Sequence, residues 1–434
     1  MSSYGMALTF NHKADLLPEE EDLICVSNPI PPVVLPSDFD TCAQEVADAK
    51  DKPHPDIGKT TDQIIEYYGY FGEMYDVHTA DGYILLVHRI TGGKLSSSAP
   101  GKPIILLHHG MFGTSDNYLI QYGDKNLAFK LADAGFDVWL ANARGTTYSQ
   151  RHETLDSKND VDYWDFSWHE MGVYDLPAVL DKIKEVTGND RIYYVGHSMG
   201  TTAYFVGLSE KPELNDRIIA AYLLSPVAYI GHANTPIRLL SPTLGTGGQY
   251  LSDSVLRGKI NTQTELERLL GVSPAKLCTP TATRCAVCGY IAFAGFNYDA
   301  PQMNYTNLPN IVSKGNTISI KTLVHYSQSM SSCRFRNFDY GIVENQQRYG
   351  TQIPPSYDLT QITAPTYFFY GDYDNLAVPE DVAYTKSQMQ DDTVLENIRV
   401  DWDLFNHFDF LIAKDADTLL YNPILSLIQE SMPP

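Results

Sequence analysis

The 434 residues contain no run of eighteen or more apolar residues, and with it no candidate transmembrane helix. Basic residues are scarce: 31 Lys and Arg stand against 53 Asp and Glu, a formal net charge of −22. That field repels phosphate backbones and anionic headgroups, which excludes nucleic acid as an expected partner. Cysteine is sparse at six, and the sequence has a single N-x-[ST] sequon, Asn304-Tyr305-Thr306. The first 23 residues lack the apolar core of a signal peptide. Either the protein is intracellular or the sequence begins after a removed leader; the cysteines and the sequon favour the second, secretory reading. An apolar fraction of 43% and a charged fraction of 19% are ordinary for a globular chain and leave no case for broad disorder. The 29 tyrosines fit a core, a surface or a wet cleft equally well. Nothing in the residues speaks to oligomeric state.

Residues 1–52 read as an acidic, proline-rich extension ("PEEED", "NPIPPVVLPSDFD") with little periodicity. The pattern tightens from residue 53. "MYDVHTADGYILLVHRI" (74–90) is a pair of strand-like runs about Asp81-Gly82, a hairpin signal. "KPIILLHHG" (102–110), "FDVWLANARG" (136–145), "RIYYVG", "IIAAYLLSPVAY" (218–229) and "PTYFFYGDYD" (365–374) read as buried strands. Between them, Leu176, Val179, Leu180 and Ile183 form an i, i+3, i+4, i+7 stripe closed by Gly188, an amphipathic helix. Apolar strands alternating with helices predict an α/β fold, a mostly parallel sheet covered on both faces. Residues 230–345 break that rhythm with turn-rich and helix-like pieces and hold four of the six cysteines. The expected organisation is a core over 53–229 and 346–434, with 230–345 inserted as a mainly helical cap over the C-terminal sheet edge.

One hydroxyl stands out. Ser198 lies in Gly196-His197-Ser198-Met199-Gly200, with β-branched and aromatic residues before it and small helix formers after it. A G-x-S-x-G motif at a strand-to-helix joint places the serine on a sharp bend, where only glycines let strand and helix approach. Without that context the motif is a serine in a tight turn. Serine is a weak nucleophile and needs a base, which needs an acid to fix its tautomer; in this layout the chain order is Ser, acid, His. Three histidines follow Ser198. His232 comes close behind the next strand and His325 lies inside the insertion, whereas His407 sits after the last strand-like run, where the base is expected. For the acid, Asp372 and Asp374 are both open; Asp403 and Asp409 lie too near His407. The oxyanion of acyl transfer needs backbone N–H donors, here expected from Met199 and from Met111 in "HHGMFG". The neighbouring His108 and His109 do not suggest a metal, because successive strand residues face opposite ways. No cofactor is expected.

The stretches "GHSMGTT", "LLHHGMFGTSDNY", "NARGTTYSQRH", "DYWDFSWHEMGVYDLPAVLDKI" and "GDYDNLAVPEDV", with the earlier "QIIEYYGYFGEMYDVHTADGYILLVHRI", resemble the acid lipases, the gastric and lysosomal group of α/β-hydrolases. The resemblance runs from about residue 53 to the C-terminus. It implies the α/β-hydrolase fold, a triad of Ser198, Asp374 and His407, and oxyanion donors at Met111 and Met199. It also implies a lid within the cap, neutral-lipid substrate (triacylglycerol or cholesteryl ester) at a lipid–water interface, and secreted or lysosomal delivery. Met199 stands where the family usually has glutamine, which a backbone donor tolerates, and "HHG" replaces "QHG". Cys278 and Cys285 fit the family's short cap disulfide; Cys25, Cys42, Cys288 and Cys333 receive no partner. Asn304 is a candidate glycosylation site in the cap. The competing reading is a non-catalytic storage or carrier protein on the same fold.

Overall fold

A computed structural model of the chain describes residues 54–235, 257–262, 264, 267–268 and 297–432. The extension assigned to residues 1–52 therefore lies outside the described residues, as do Cys278 and Cys285.

The strands occur in the order β1 (Phe71–His78), β2 (Tyr83–Gly92), β3 (Ile104–His108), β4 (Asp137–Leu140), β5 (Arg151–His152), β6 (Ile192–His197), β7 (Ile218–Leu224), β8 (Lys259–Asn261), β9 (Thr317–Ser319), β10 (Thr366–Tyr370) and β11 (Val394–Arg399). Among the described residues, nine of them form one sheet in the spatial order β1-β2-β4-β3-β6-β7-β10-β11, with the short β5 paired to β2. The β1–β2 hairpin turns at Asp81-Gly82, where Gly82 takes φ 94°. β2 joins β4 antiparallel; from β4 to β11 every neighbouring pair is parallel.

Every residue of β3 and β6 is buried, and successive side chains enter different cores. Ile105, Leu107, Tyr193 and Val195 join one apolar cluster, while Ile104, Leu106, Ile192 and Tyr194 join the other. A parallel strand covered on both faces has no polar side to show, so it reads as an unbroken apolar run. The fold is that of the α/β-hydrolases, a mostly parallel central sheet with flanking helices. On one face lies the helix Leu176–Thr187, whose stripe of Leu176, Val179, Leu180 and Ile183 is buried and whose end is capped by Gly188 at φ 74°. A wider π-type turn over Met171–Asp175 precedes it and was not legible in the apolar periodicity.

Three strands stop earlier than their apolar runs suggest. The run 218–229 forms a strand only to Leu224, because Ser225 turns to φ 52° and Pro226 has no N–H to continue the ladder. The runs 136–145 and 365–374 yield Asp137–Leu140 and Thr366–Tyr370, after which the chain leaves the sheet edge. Within 230–345, the described part is not purely helical. It pairs β8 with β9 antiparallel beside the helices Leu308–Ser313 and Ile320–Ser332.

Candidate active site

Ser198 occupies the joint between β6 and the helix Met199–Glu210, at φ 52° and ψ −117°. Its N–H donates to Leu224 O at 3.0 Å, so the bend is anchored to the end of β7. The flanking glycines are sterically required. A Cβ on Gly200 would lie 2.3 Å from His108 O, and one on Gly196 would lie 2.9 Å from a Tyr194 ring carbon.

The structure brings Ser198, His407 and Asp374 together. His407 Nε2 lies 2.8 Å from Ser198 Oγ, and His407 Nδ1 lies 3.0 and 3.2 Å from the two carboxyl oxygens of Asp374. All three side chains are buried. Asp374 sits in the turn after β10, where its Oδ1 also accepts the N–H groups of Leu376 (2.9 Å) and Ala377 (3.0 Å). Burial pushes its pKa up, but His407 and the converging donors outweigh this and hold the carboxyl below its ordinary range. Asp372, the other open choice, is exposed and pairs with Arg399, as does Asp403. Asp409 accepts from Asn406 N at 2.8 Å and so shapes the loop carrying His407.

The other two histidines have different tasks. His232 Nδ1 lies 2.7 Å from Asp381. His325 stacks on Trp168 at 3.6 Å between ring centroids and bonds Ser167 Oγ and Arg336 O.

The Met111 amide belongs to the loop after β3. His109 Nδ1 donates to Gly110 O at 2.8 Å, while its Nε2 accepts from Ala143 N at 3.0 Å, which fixes the neutral Nδ1–H tautomer. Gly113 N also donates to Gly110 O, at 3.0 Å. With that carbonyl held, a trans peptide must point the Met111 N–H the opposite way. The loop runs against the serine bend: a Cβ on Gly110 would lie 3.1 Å from Ser198 Cβ. His108 is engaged elsewhere, 2.9 Å from Tyr194 OH. Burial drives His108 to about 3 and His109 to about 4, so both rings stay neutral.

Such a buried Ser–His–Asp chain beside backbone donors is suited to acyl transfer. A family model described as the alpha/beta hydrolase fold matches residues 103–409, and one described as the partial alpha/beta-hydrolase lipase region matches residues 61–122. The gastric triacylglycerol lipase of Bos taurus is 35% identical across 87% of this chain and 93% of its own length. The lysosomal acid lipase/cholesteryl ester hydrolase of Homo sapiens is 35% identical across 87% and 92%. Lipase member N of Mus musculus is 36% identical across 88% and 94%. The chain belongs to the acid lipase family. As a member it is a carboxylic ester hydrolase. A solved structure from Sulfolobus solfataricus, only 15% identical but with a TM-score of 0.51 over 83% of this chain and 94% of its own, shares the fold.

This acid lipase chain has two further residues at the site that sequence reasoning did not single out. His197, beside the serine, donates from Nε2 to the His407 carbonyl at 3.0 Å and so fixes the backbone of the base. Ser225, just past β7, places its hydroxyl 2.6 Å from Asp374 Oδ2 and 2.8 Å from His407 Nδ1. A serine between an apolar strand and a proline gives no local signal of either contact. Cys333, left without a partner by the sequence, is disulfide-bonded. Asn304 is partly buried, its Oδ1 accepting from Thr306 Oγ1 at 2.7 Å.

Proposed function

We propose that the protein hydrolyses fatty-acid esters of neutral lipids, triacylglycerol or cholesteryl ester, through an acyl-enzyme on Ser198. The single observation that carries this reading is the continuous hydrogen-bonded chain from Ser198 Oγ through His407 to Asp374 at the C-terminal end of the parallel strands. His407 Nε2 takes the Ser198 proton as Oγ attacks the ester carbon, and the Met111 and Met199 N–H groups receive the oxyanion. Collapse of the tetrahedral adduct expels the alcohol, which leaves with the proton from His407. Water, deprotonated by the same nitrogen, then releases the fatty acid and restores Ser198. Asp374 holds the imidazole in the tautomer whose Nε2 lone pair faces the serine.

The lipid class is proposed from the relatives, which are named as a triacylglycerol lipase and a cholesteryl ester hydrolase. Secreted or lysosomal delivery is proposed from the gastric and lysosomal names of those relatives and from the disulfide at Cys333.

A fluorescent fluorophosphonate tests the serine chemistry, followed by a panel of emulsified triacylglycerols and cholesteryl esters. Labelling of wild type that is lost in Ser198→Ala, with fatty-acid release from at least one panel member, is expected. Folded wild-type protein that takes no label would instead support a carrier.

A further inference from the structure

The hydroxyl of Ser225 is fully buried and its two neighbours at hydrogen-bond distance are the acid and the base of the proposed triad. A hydroxyl has one proton. Asp374, held below the ordinary carboxylate range, is an ion with no proton to give, so Ser225 donates to Asp374 Oδ2. Its oxygen is then left with only lone pairs toward His407 Nδ1, 2.8 Å away. That contact is favourable only when Nδ1 carries the hydrogen. The tautomer so selected has the lone pair on Nε2, which faces Ser198 Oγ. When Nε2 takes the serine proton, the positive charge on the ring meets the negative end of the same hydroxyl dipole.

The backbone supports the assignment independently. Ser225 sits at φ 52°, where glycine fits without steric cost and any residue with a Cβ is strained. Its N–H is pinned to Phe369 O at 2.8 Å, which sets the hydroxyl at the end of β7, between the strand that delivers Ser198 and the strand that delivers Asp374. Turn formation alone gives no reason for a hydroxyl there. We infer that Ser225 is a positioning residue of the reaction, a fourth member that fixes the tautomer of His407 and shares the charge of Asp374. The inference rests on the acyl-enzyme reading above.

Ser225→Ala and Ser225→Gly test it together, since glycine relieves the backbone strain while removing the same hydroxyl. Hydrogen bonds to charged groups set the expected loss at about ten- to a hundredfold. The second-order rate of fluorophosphonate labelling at Ser198 falls by that factor in both variants. With p-nitrophenyl butyrate, kcat falls in the same proportion while KM stays within about twofold, because Ser225 is enclosed behind the acid and base. The melting temperature of Ser225→Gly stays close to that of wild type. Unchanged labelling and kcat in folded variants would overturn the proposal, as would a rise in KM at constant kcat. Loss of the melting transition in both variants would overturn it too, by making Ser225 a folding residue. The labelling arm uses no lipid, so it stands even if the neutral-lipid reading falls.

Discussion

Replacing Asp374 by asparagine keeps the shape of the side chain and reverses one of its two polar ends. In the native site every contact to this carboxyl is made by a donor: Leu376 N and Ala377 N at Oδ1, Ser225 Oγ at Oδ2, and His407 Nδ1 between the two. The amide NH2 must replace one oxygen. Facing the backbone, it would set two fixed N–H groups against further hydrogens, each buried clash costing about 1–3 kcal/mol. Facing His407, it meets a hydroxyl that can rotate and a ring that can change tautomer. The second arrangement wins, and it moves the ring hydrogen to Nε2, where it points at Ser198 Oγ and cannot accept a proton. The expected result is a loss in kcat of about 10³–10⁴, equivalent to roughly 4–5.5 kcal/mol of barrier, with little change in KM. Asp374→Ala differs in kind, since it also strips both backbone donors of their acceptor and is expected to destabilise the fold by about 2–6 kcal/mol. Turnover of a soluble p-nitrophenyl ester beside thermal unfolding separates the two outcomes. A folded Asp374→Asn protein within tenfold of wild-type kcat would refute the tautomer argument.

Stability should fall on mild acidification. Burial holds His54, His88 and His109 down to about 4, takes His108 and His197 to about 3, and lowers His169 and His325 as well. The folded pKa of each lies below its unfolded value near 6.5, so the unfolded chain gains protons that the folded chain refuses, at about 1.4 kcal/mol per pH unit per ring below that point. Asp299, raised by burial to about 6, Asp409, raised by burial and by the neighbouring Asp299, and Asp56, Asp175 and Asp381, each raised by burial, act in the opposite sense: their contribution is present at low pH and lost as pH rises through the folded value. The seven rings titrate from about 6.5 downward and outnumber the five carboxyls, so the melting temperature is expected to be lower at pH 5 than at pH 7, and an equal or higher value would contradict the balance. Asn304 is expected to carry a glycan when the protein is made through a secretory route, seen as an N-glycosidase mobility shift that Asn304→Gln abolishes; wild-type protein that shows no shift would refute it.

The serine bend was legible because its constraint is local. Glycines at the second positions on either side of Ser198 answer two close approaches, and no other residue type could stand in them without moving backbone or ring. The strands buried on both faces announced themselves as unbroken apolar runs for the same local reason. The acid was only half legible. Asp372 and Asp374 both follow Gly371, and only the turn decides that one reaches solvent and Arg399 while the other turns inward. That turn depends on a contact with the loop of the base: a Cβ on Gly371 would lie 2.1 Å from Phe405 O. Helix periodicity, likewise, could not foresee the widened turn at Met171–Asp175.

Ser225 and His197 were silent because their partners are set by strand order. β7 lies between β6 and β10, and neighbouring strands are about 4.8 Å apart. The nucleophile leaves the end of β6 and the acid leaves the end of β10, so the two are separated by about twice that spacing, a gap no direct hydrogen bond can close. An imidazole brought in from beyond β11 spans it, with one nitrogen toward each side. The residue just past β7 therefore falls between the two, and the hydroxyl there touches both the ring and the acid. His197 completes the geometry by holding the His407 carbonyl, so the imidazole is fixed at its backbone and at Nδ1, while Nε2 engages the reacting oxygen. A chain that kept the three expected residues but reordered β7 and β10 would lose this bridge while its sequence motifs stayed intact.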